Sequence, residues 1–362
     1  MPISVFGVEG REGGTVASPR VVARLHDAGP PGRFRWPFDA GSGSVHGRGD
    51  GERGTDDDSA DRRSLRGGTP EGIGSTAGRC AVRLLVTGIA VMDCVHWMDA
   101  LPAGGTKYRS HAFARLGGGL AGNAAVGAAR LGAQVTLMTR LGTDAAGDDL
   151  AAMFETQGLR LVAARGGRTP ISSVMVAEDG ERMIVNFPGA DLPEAPPPLP
   201  PFDAALTDCR WPAAAEATLR DARARGVPCV IDGDRFTPEP LAMLASHVVF
   251  SLAGLRDFTG IDDPARALAE AAGRLPGCIG YTAGAGGVHW ADGLHVPAPA
   301  VVPVDTLGAG DLWHGAFAAA LGFGRDVAEA SRFANRAAAL KCERTGGWDV
   351  YPTAADLDAE LP

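Results

Sequence analysis

From Val82 onward, short and nearly unbroken apolar runs alternate with longer Ala-rich stretches. Val82 to Ala90, Gln134 to Thr139, Ala204 to Thr207, Val227 to Ile231, His247 to Ser251 and Ile279 to Thr282 are runs of the first kind. Such runs fit strands buried on both faces, as in a parallel sheet. Helical stretches lie among them: Gly117 to Leu131, Ala213 to Arg225, Leu312 to Leu321 and Val327 to Leu340. The alternation predicts an α/β fold, a mostly parallel sheet with helices on both faces. Two stretches depart from it and read as antiparallel strands. One is Lys107 to Leu116. The other is a hairpin, Ile171 to Ala177 and Glu181 to Phe187, around Glu178-Asp179-Gly180. They predict a separate small sheet.

Residues 1–80 have no sustained periodicity and are rich in Gly, Arg, Asp and Ser. Eleven Arg face eleven acidic residues there, so the net charge of −9 belongs to the remainder. Too little apolar surface is present to offset the ordering entropy. We expect a disordered extension, or an upstream translated stretch that the functional protein lacks, followed by one domain over residues 81–360.

Composition narrows the chemistry. The acidic balance argues against a nucleic-acid surface. No apolar run reaches the roughly 18 residues that span a membrane, and no basic-then-apolar leader opens the chain. Six scattered cysteines without a C-x-x-C pair read as reduced thiols of a cytoplasmic protein. Only two lysines, Lys107 and Lys341, stand among 34 basic residues.

The candidate chemistry concentrates at Val304-Asp305-Thr306-Leu307-Gly308-Ala309-Gly310-Asp311. An apolar, strand-like run from Val301 to Val304 leads through small residues into an Ala-rich helix. Bare residues let a ligand approach the backbone, and the first N–H groups of a helix, with the positive dipole end behind them, favour an anion such as phosphate. Asp311 stands where a carboxylate could take a proton from an alcohol while those N–H groups hold a phosphoryl group. Asp93, Arg210, Asp232, Thr282 and Asp305 all fall at predicted C-terminal strand ends, the usual ligand side of an open parallel sheet.

Asp-Thr-x-Gly-Ala-Gly-Asp before an Ala-rich helix resembles the C-terminal signature of the ribokinase (PfkB) family of sugar kinases. Gly117-Gly118-Gly119-Leu120-Ala121-Gly122-Asn123 resembles its N-terminal signature, and lacks the acidic residue that a dinucleotide fold would place downstream. The resemblance implies a ribokinase-like three-layer α/β/α core with a small β-sheet lid, its strands near 105–117 and 170–188. It implies Asp311 as catalytic base, an anion hole at Gly308, Ala309 and Gly310, and sugar contacts from Asp93, Gly118, Gly119 and Asn123. Thr282, Gly284 and Gly287 match the nucleotide turn, and Asn335 the position beside adenine. ATP and Mg2+ are implied, with Asp305 near a monovalent-cation site such as that for K+, and a homodimer formed through the lid. One departure is plain. Ser251 and Gly254 stand where most members carry the Asn and Glu of Asn-x-x-Glu, which help organise Mg2+.

Other segments resemble sulfofructose kinases: Gly105-Thr106-Lys107-Tyr108, Asn186-Phe187-Pro188, Asp208-Cys209-Arg210-Trp211, Ile231-Asp232-Gly233-Asp234 and Ala339-Leu340-Lys341-Cys342. That resemblance implies transfer to O1 of 6-deoxy-6-sulfofructose, with Lys107, Asn186 and Arg210 at the sulfonate. A sulfonate wants cationic and N–H donors, but so do phosphate and carboxylate. Kinases of a phosphorylated ketose, a keto-deoxy sugar acid, fructose or ribose therefore stay open, as does a catalytically silent sugar- or nucleotide-binding regulator.

Overall fold

The computed structural model describes residues 82–358. The extension expected over residues 1–80 lies outside the described residues.

Nine strands build the main sheet: β1 (Arg83–Gly88), β4 (Gln134–Leu141), β5 (Arg160–Arg165), β8 (Ala204–Thr207), β9 (Cys229–Gly233), β10 (His247–Ser251), β11 (Cys278–Thr282), β12 (Val288–Trp290) and β13 (His295–Val296). Their order is β13-β12-β11-β10-β9-β8-β1-β4-β5. All neighbours run parallel except β11–β12 and β12–β13. A second sheet, ordered β3-β2-β6-β7, holds β2 (Val91–Met98), β3 (Ala112–Gly118), β6 (Ile171–Ala177) and β7 (Arg182–Phe187).

Alternate residues of one strand feed two cores, because successive side chains leave opposite faces. Leu84 and Val86 pack into one core, Leu85 into the other. Helices α1 (Leu120–Arg130), α2 (Ala145–Thr156), α7 (Ala309–Gly322) and α8 (Val327–Cys342) cover the first face. Helices α3 (Pro212–Arg225), α4 (Glu239–Ala242), α5 (Leu252–Thr259) and α6 (Pro264–Arg274) cover the second, and α9 (Ala354–Asp358) ends the described chain. This is the three-layer arrangement expected. No helix among the described residues is long and apolar enough to cross a membrane.

Three expectations are corrected. Val301 to Val304 form no strand; Val302 is 81 % exposed and Val304 61 %. Apolarity alone misled there, since the segment pairs with no sheet and only crosses from β13 to α7. The strand expected from Lys107 begins at Ala112, which leaves Lys107 exposed in the 99–111 loop. Finally, Val91–Met98 is a strand of its own, and it carries Asp93 into the small sheet instead of the end of a main-sheet strand. It pairs antiparallel to β3 and parallel to β6, so its register depends on segments far along the chain.

Candidate active site

Asp311 is positioned by two helices that approach backbone to backbone. The facing surfaces of α1 and α7 are almost entirely Ala and Gly. A Cβ on Gly315 would lie 2.2 Å from the Ala124 carbonyl oxygen, and one on Gly127 would lie 2.4 Å from Leu312 Cδ1. That proximity lets Asn123 of α1 reach Asp311 of α7, donating from Nδ2 to Oδ2 at 2.8 Å. The amide is oriented from behind, where Trp348 Nε1 donates to Asn123 Oδ1 at 2.8 Å.

The helix opens earlier than the sequence suggested. Ala309 is its first residue, and Gly308 is its cap at a left-handed φ of 72°. Asp311 thus sits inside the first turn, before the ladder that opens with Leu312 N donating to Gly308 O at 2.9 Å. Ala309 N already donates to Thr306 O at 3.3 Å, which leaves Gly310 and Asp311 ahead of the first four-residue bond. The space in front of Gly310 is open, with nothing within 4 Å of where a Cβ would stand. At Gly308 a Cβ would lie 2.3 Å from the Tyr351 hydroxyl, so this phenol closes one wall of the turn.

Burial and the nearby Asp232 charge push the Asp311 carboxyl up to about 7, with Asn123 and His314 pulling it back. His314, one turn further along, is buried with Nδ1 2.9 Å from Gly310 O and Nε2 3.0 Å from Val249 O. Burial lowers its pKa, so the neutral ring donates to one of these two carbonyls and packs against the other, between the turn and β10. A carboxyl poised near neutrality beside the open space at Gly310 can accept a proton from an alcohol.

A second group lies on the small sheet. Asp93, Ser172 and Asn186 form one row across β2, β6 and β7. Asn186 Nδ2 donates to Ser172 Oγ at 3.1 Å. Burial raises the Asp93 carboxyl to about 6, against the lowering effect of the Ser172 hydroxyl. A Cβ at Gly118 would fall 2.2 Å from Asp93 Oδ2, so a bare residue is required there. Gly119 faces the Ile89 carbonyl oxygen, at 2.5 Å from where its Cβ would be, and serves packing. Tyr351 connects the two groups: burial, then the charges of Asp311, Asp305 and Asp93, push its phenol well above the usual range. The carboxyls of Asp93 and Asp311 therefore both lie within electrostatic reach of the Tyr351 phenol.

Arg210 stands just beyond β8. Its N–H donates to Asp208 Oδ1 at 2.8 Å and its guanidinium pairs with Asp234 at 2.9 Å. Asp208 also accepts from Ile89 N at 2.8 Å, stapling the ends of β1 and β8. Burial raises its carboxyl to about 6, and lifts that of Asp232 well above the ordinary range. Of the three residues expected at one end of the substrate, Asn186 belongs to the lid row and Arg210 to this acidic pocket. No described contact joins Lys107 to either.

Residues 82–354 match the family model described as pfkB family carbohydrate kinase. The chain belongs to that family. It is 28 % identical over 295 residues to Bacillus subtilis ribokinase, covering 77 % of this chain and 99 % of that one. Mouse ribokinase is 29 % identical over 314 residues, with 78 % and 95 % covered. An Agrobacterium tumefaciens crystal structure described as a candidate ribokinase superimposes with a TM-score of 0.72 at 32 % identity, over 77 % of this chain and 97 % of that one. Arabidopsis thaliana ribokinase, solved with ribose and ATP, shares the fold with a TM-score of 0.70 at 23 % identity, over 78 % and 100 % of the two chains. This PfkB protein is a sugar kinase, a phosphotransferase.

Four positions read differently within the family frame. Thr282 ends β11, and Gly284 beyond it has nothing within 4 Å of a would-be Cβ, which leaves room for a ligand. Gly287 is bare for another reason: a Cβ there would strike Val296 O at 2.1 Å. Asn335, expected beside adenine, is buried and already committed. Its Nδ2 donates to Val296 O and Pro297 O at 2.9 and 3.1 Å, and its Oδ1 accepts from Trp313 Nε1 at 2.7 Å. It braces the wall and has no free N–H to offer a base.

The Mg2+ and monovalent-cation expectations fare differently from the family pattern. Ser251 caps α5, its Oγ accepting from Gly254 N at 2.9 Å. A Cβ on Gly254 would lie 2.0 Å from Gly233 O, so the backbone leaving β9 fills the space of the missing glutamate. Segment 251–254 does not fit a metal-organising role. Asp305 does not fit one either, because its carbonyl and both carboxylate oxygens are held by Lys341, Arg182 and backbone N–H groups.

Sequence reasoning missed Ser172, Arg182, His314, Trp348 and Tyr351. Trp348 and Tyr351 lie in a tail of otherwise small and polar residues, and that contrast was the one available signal. The others carried none.

Proposed function

We propose that this chain transfers the γ-phosphoryl group of ATP to O1 of 6-deoxy-6-sulfofructose, with Asp311 as the base. The observation that carries the chemistry is the 2.8 Å bond from Asn123 to Asp311. It unites the sugar signature of α1 with the carboxylate of α7 at the mouth of the anion hole. The sugar's hydroxyls are held by Asp93 and Asn123, and the lid row of Asp93, Ser172 and Asn186 excludes water that would compete as acceptor. Asp311 takes the proton of the attacking hydroxyl, while the first-turn N–H groups from Gly308 to Gly310 hold the transferred group. Thr282 and Gly284 border the nucleotide.

Lys107, Asn186 and Arg210 support the anionic substituent, each a donor suited to an oxyanion. A second reading, a neutral sugar such as ribose, is favoured by the Arg210–Asp234 pair, which leaves that guanidinium with its charge already balanced. The exposed apolar residues of the lid, Phe113, Ile184 and Val185 at 54, 55 and 60 % exposure, support a homodimer closed through this sheet.

The test is ADP release across sulfofructose, fructose 6-phosphate, fructose and ribose, with Asp311→Asn as control. Highest kcat/KM on sulfofructose, reduced in both Lys107→Ala and Arg210→Ala, supports the proposal. A preference for ribose, unaffected by those variants, transfers the assignment to the second reading. Turnover that survives Asp311→Asn removes the mechanism.

A further inference from the structure

Lys341 is one of two lysines in the chain, and it is fully buried in the last turn of α8. An ammonium survives in such a place only when its protons are taken up by acceptors. Here one residue supplies them: Nζ lies 3.1 Å from Asp305 O and 3.0 Å from Asp305 Oδ2. The strap carrying Asp305 is fastened to the same helix end, since Val304 N and Asp305 N donate to Cys342 O at 2.8 and 3.2 Å. From Asp305 the constraint passes forward, because Leu307 N donates to Asp305 Oδ1 at 2.9 Å and the next residue is Gly308. Burial alone would raise the Asp305 carboxyl; the Leu307 N–H and the Lys341 ammonium bring it below its ordinary value.

A free monovalent cation at Asp305 would need the carbonyl and carboxylate oxygens that the ammonium already holds. Two positive charges a few ångströms apart, out of water, repel strongly. We propose that Lys341 is a tethered cation that takes the place of a dissociable one: it holds the loop that shapes the anion hole, and the enzyme needs no K+. This rests on reading Gly308–Gly310 as that hole. Lys341 is a positioning residue, acting through Asp305 on the loop.

The full chain is compared in KCl, NaCl and choline chloride at equal ionic strength. Three readouts are taken: thermal midpoint, ADP binding by calorimetry, and turnover of whichever panel sugar is phosphorylated. For the wild type, ADP affinity and turnover are expected to agree across salts within about twofold, and the midpoint to stay the same. In Lys341→Ala the loop relaxes, and a loss of about 100-fold in turnover is expected in choline, as for other misplacements of about 1 Å. K+ or methylammonium entering the vacated space should recover at least about tenfold and raise the midpoint. A wild type activated tenfold or more by K+ overturns the proposal, as does a Lys341→Ala protein with a lowered midpoint that no cation rescues. If the alanine variant does not fold, Lys341→Met, which keeps the apolar stem, takes its place, and the wild-type salt response still decides. Failure of every sugar in the panel would strike the functional reading, while midpoint and ADP binding would still report on Lys341.

Discussion

Replacing Asn123 by Leu removes the only side-chain hydrogen bond to Asp311 given among the described contacts, that from Nδ2 to Oδ2 at 2.8 Å, and keeps much of the volume. That bond is one of two influences lowering a carboxyl that burial and Asp232 hold at about 7. A hydrogen bond to a charged acceptor is worth about 1.5–3 kcal/mol, which corresponds to about one to two pH units. The sign follows from which form is stabilised. Losing the donor disfavours the carboxylate, so the pKa rises and the base is protonated over a wider range. The acid limb of kcat should then move from about 7 to about 8–9. At neutral pH, where half the carboxyl is ionised to begin with, turnover falls roughly 5- to 50-fold, and much of it returns well above neutrality. The assay is ADP release at saturating sugar over a pH series, which separates this shift from weaker sugar binding. Asn123→Leu also strips Trp348 Nε1 of its acceptor, a cost of about 1–3 kcal/mol in stability. Trp348→Phe removes the indole bond but keeps the amide donor, so it should lower the thermal midpoint while moving the acid limb less than Asn123→Leu does. If the limb stays put in Asn123→Leu, Asp311 is not the group whose ionisation governs turnover.

Three further outcomes are expected. Gly254→Glu restores the family's carboxylate in sequence but drives a Cβ to 2.0 Å from Gly233 O; calorimetry should show a loss of about 1–3 kcal/mol, and a variant that is equally stable and binds Mg2+ more tightly would contradict the packing argument. Gly308→Ala combines a left-handed φ of 72° with a contact 2.3 Å from the Tyr351 hydroxyl, costing about 1–3 kcal/mol; adding Tyr351→Phe should recover the steric part of that loss, and no recovery in the melting curve would show that the phenol is not the obstacle. Arg182→Ala cuts the 3.0 Å pair between lid strand β7 and Asp305; being partly exposed, it should alter stability by about 0–1 kcal/mol yet raise the sugar KM, and an unchanged KM would deny the lid any hold on the loop.

How far the sequence could be read varies from element to element. β8 and β10 matched their apolar runs residue for residue, because a strand buried on both faces writes an unbroken apolar word. The edges were less legible. Val91–Met98 looks like a continuation of the first strand, and only its pairing with β3 and β6 shows that the chain has left the main sheet. Val301 to Val304 has the composition of a strand but no neighbour to pair with. In the candidate site the bare turn before Asp311 was readable from its own spacing, but not the start of its helix, which opens at Ala309.

The sequence by itself determined the α/β class, the central strands and the bare turn before Asp311, since local periodicity and small residues suffice for these. Only the tertiary structure decided what each polar group is free to do. Asn335 and Asp305 have the residue types of ligand-binding groups, yet their hydrogen bonds are spent on a wall and on Lys341. Asn123 could have been one more polar residue on an Ala-rich helix, yet it reaches Asp311 from 188 positions away. Hydrogen-bond capacity is finite, and which partner takes it up depends on backbones brought together by distant parts of the chain. No local pattern records that.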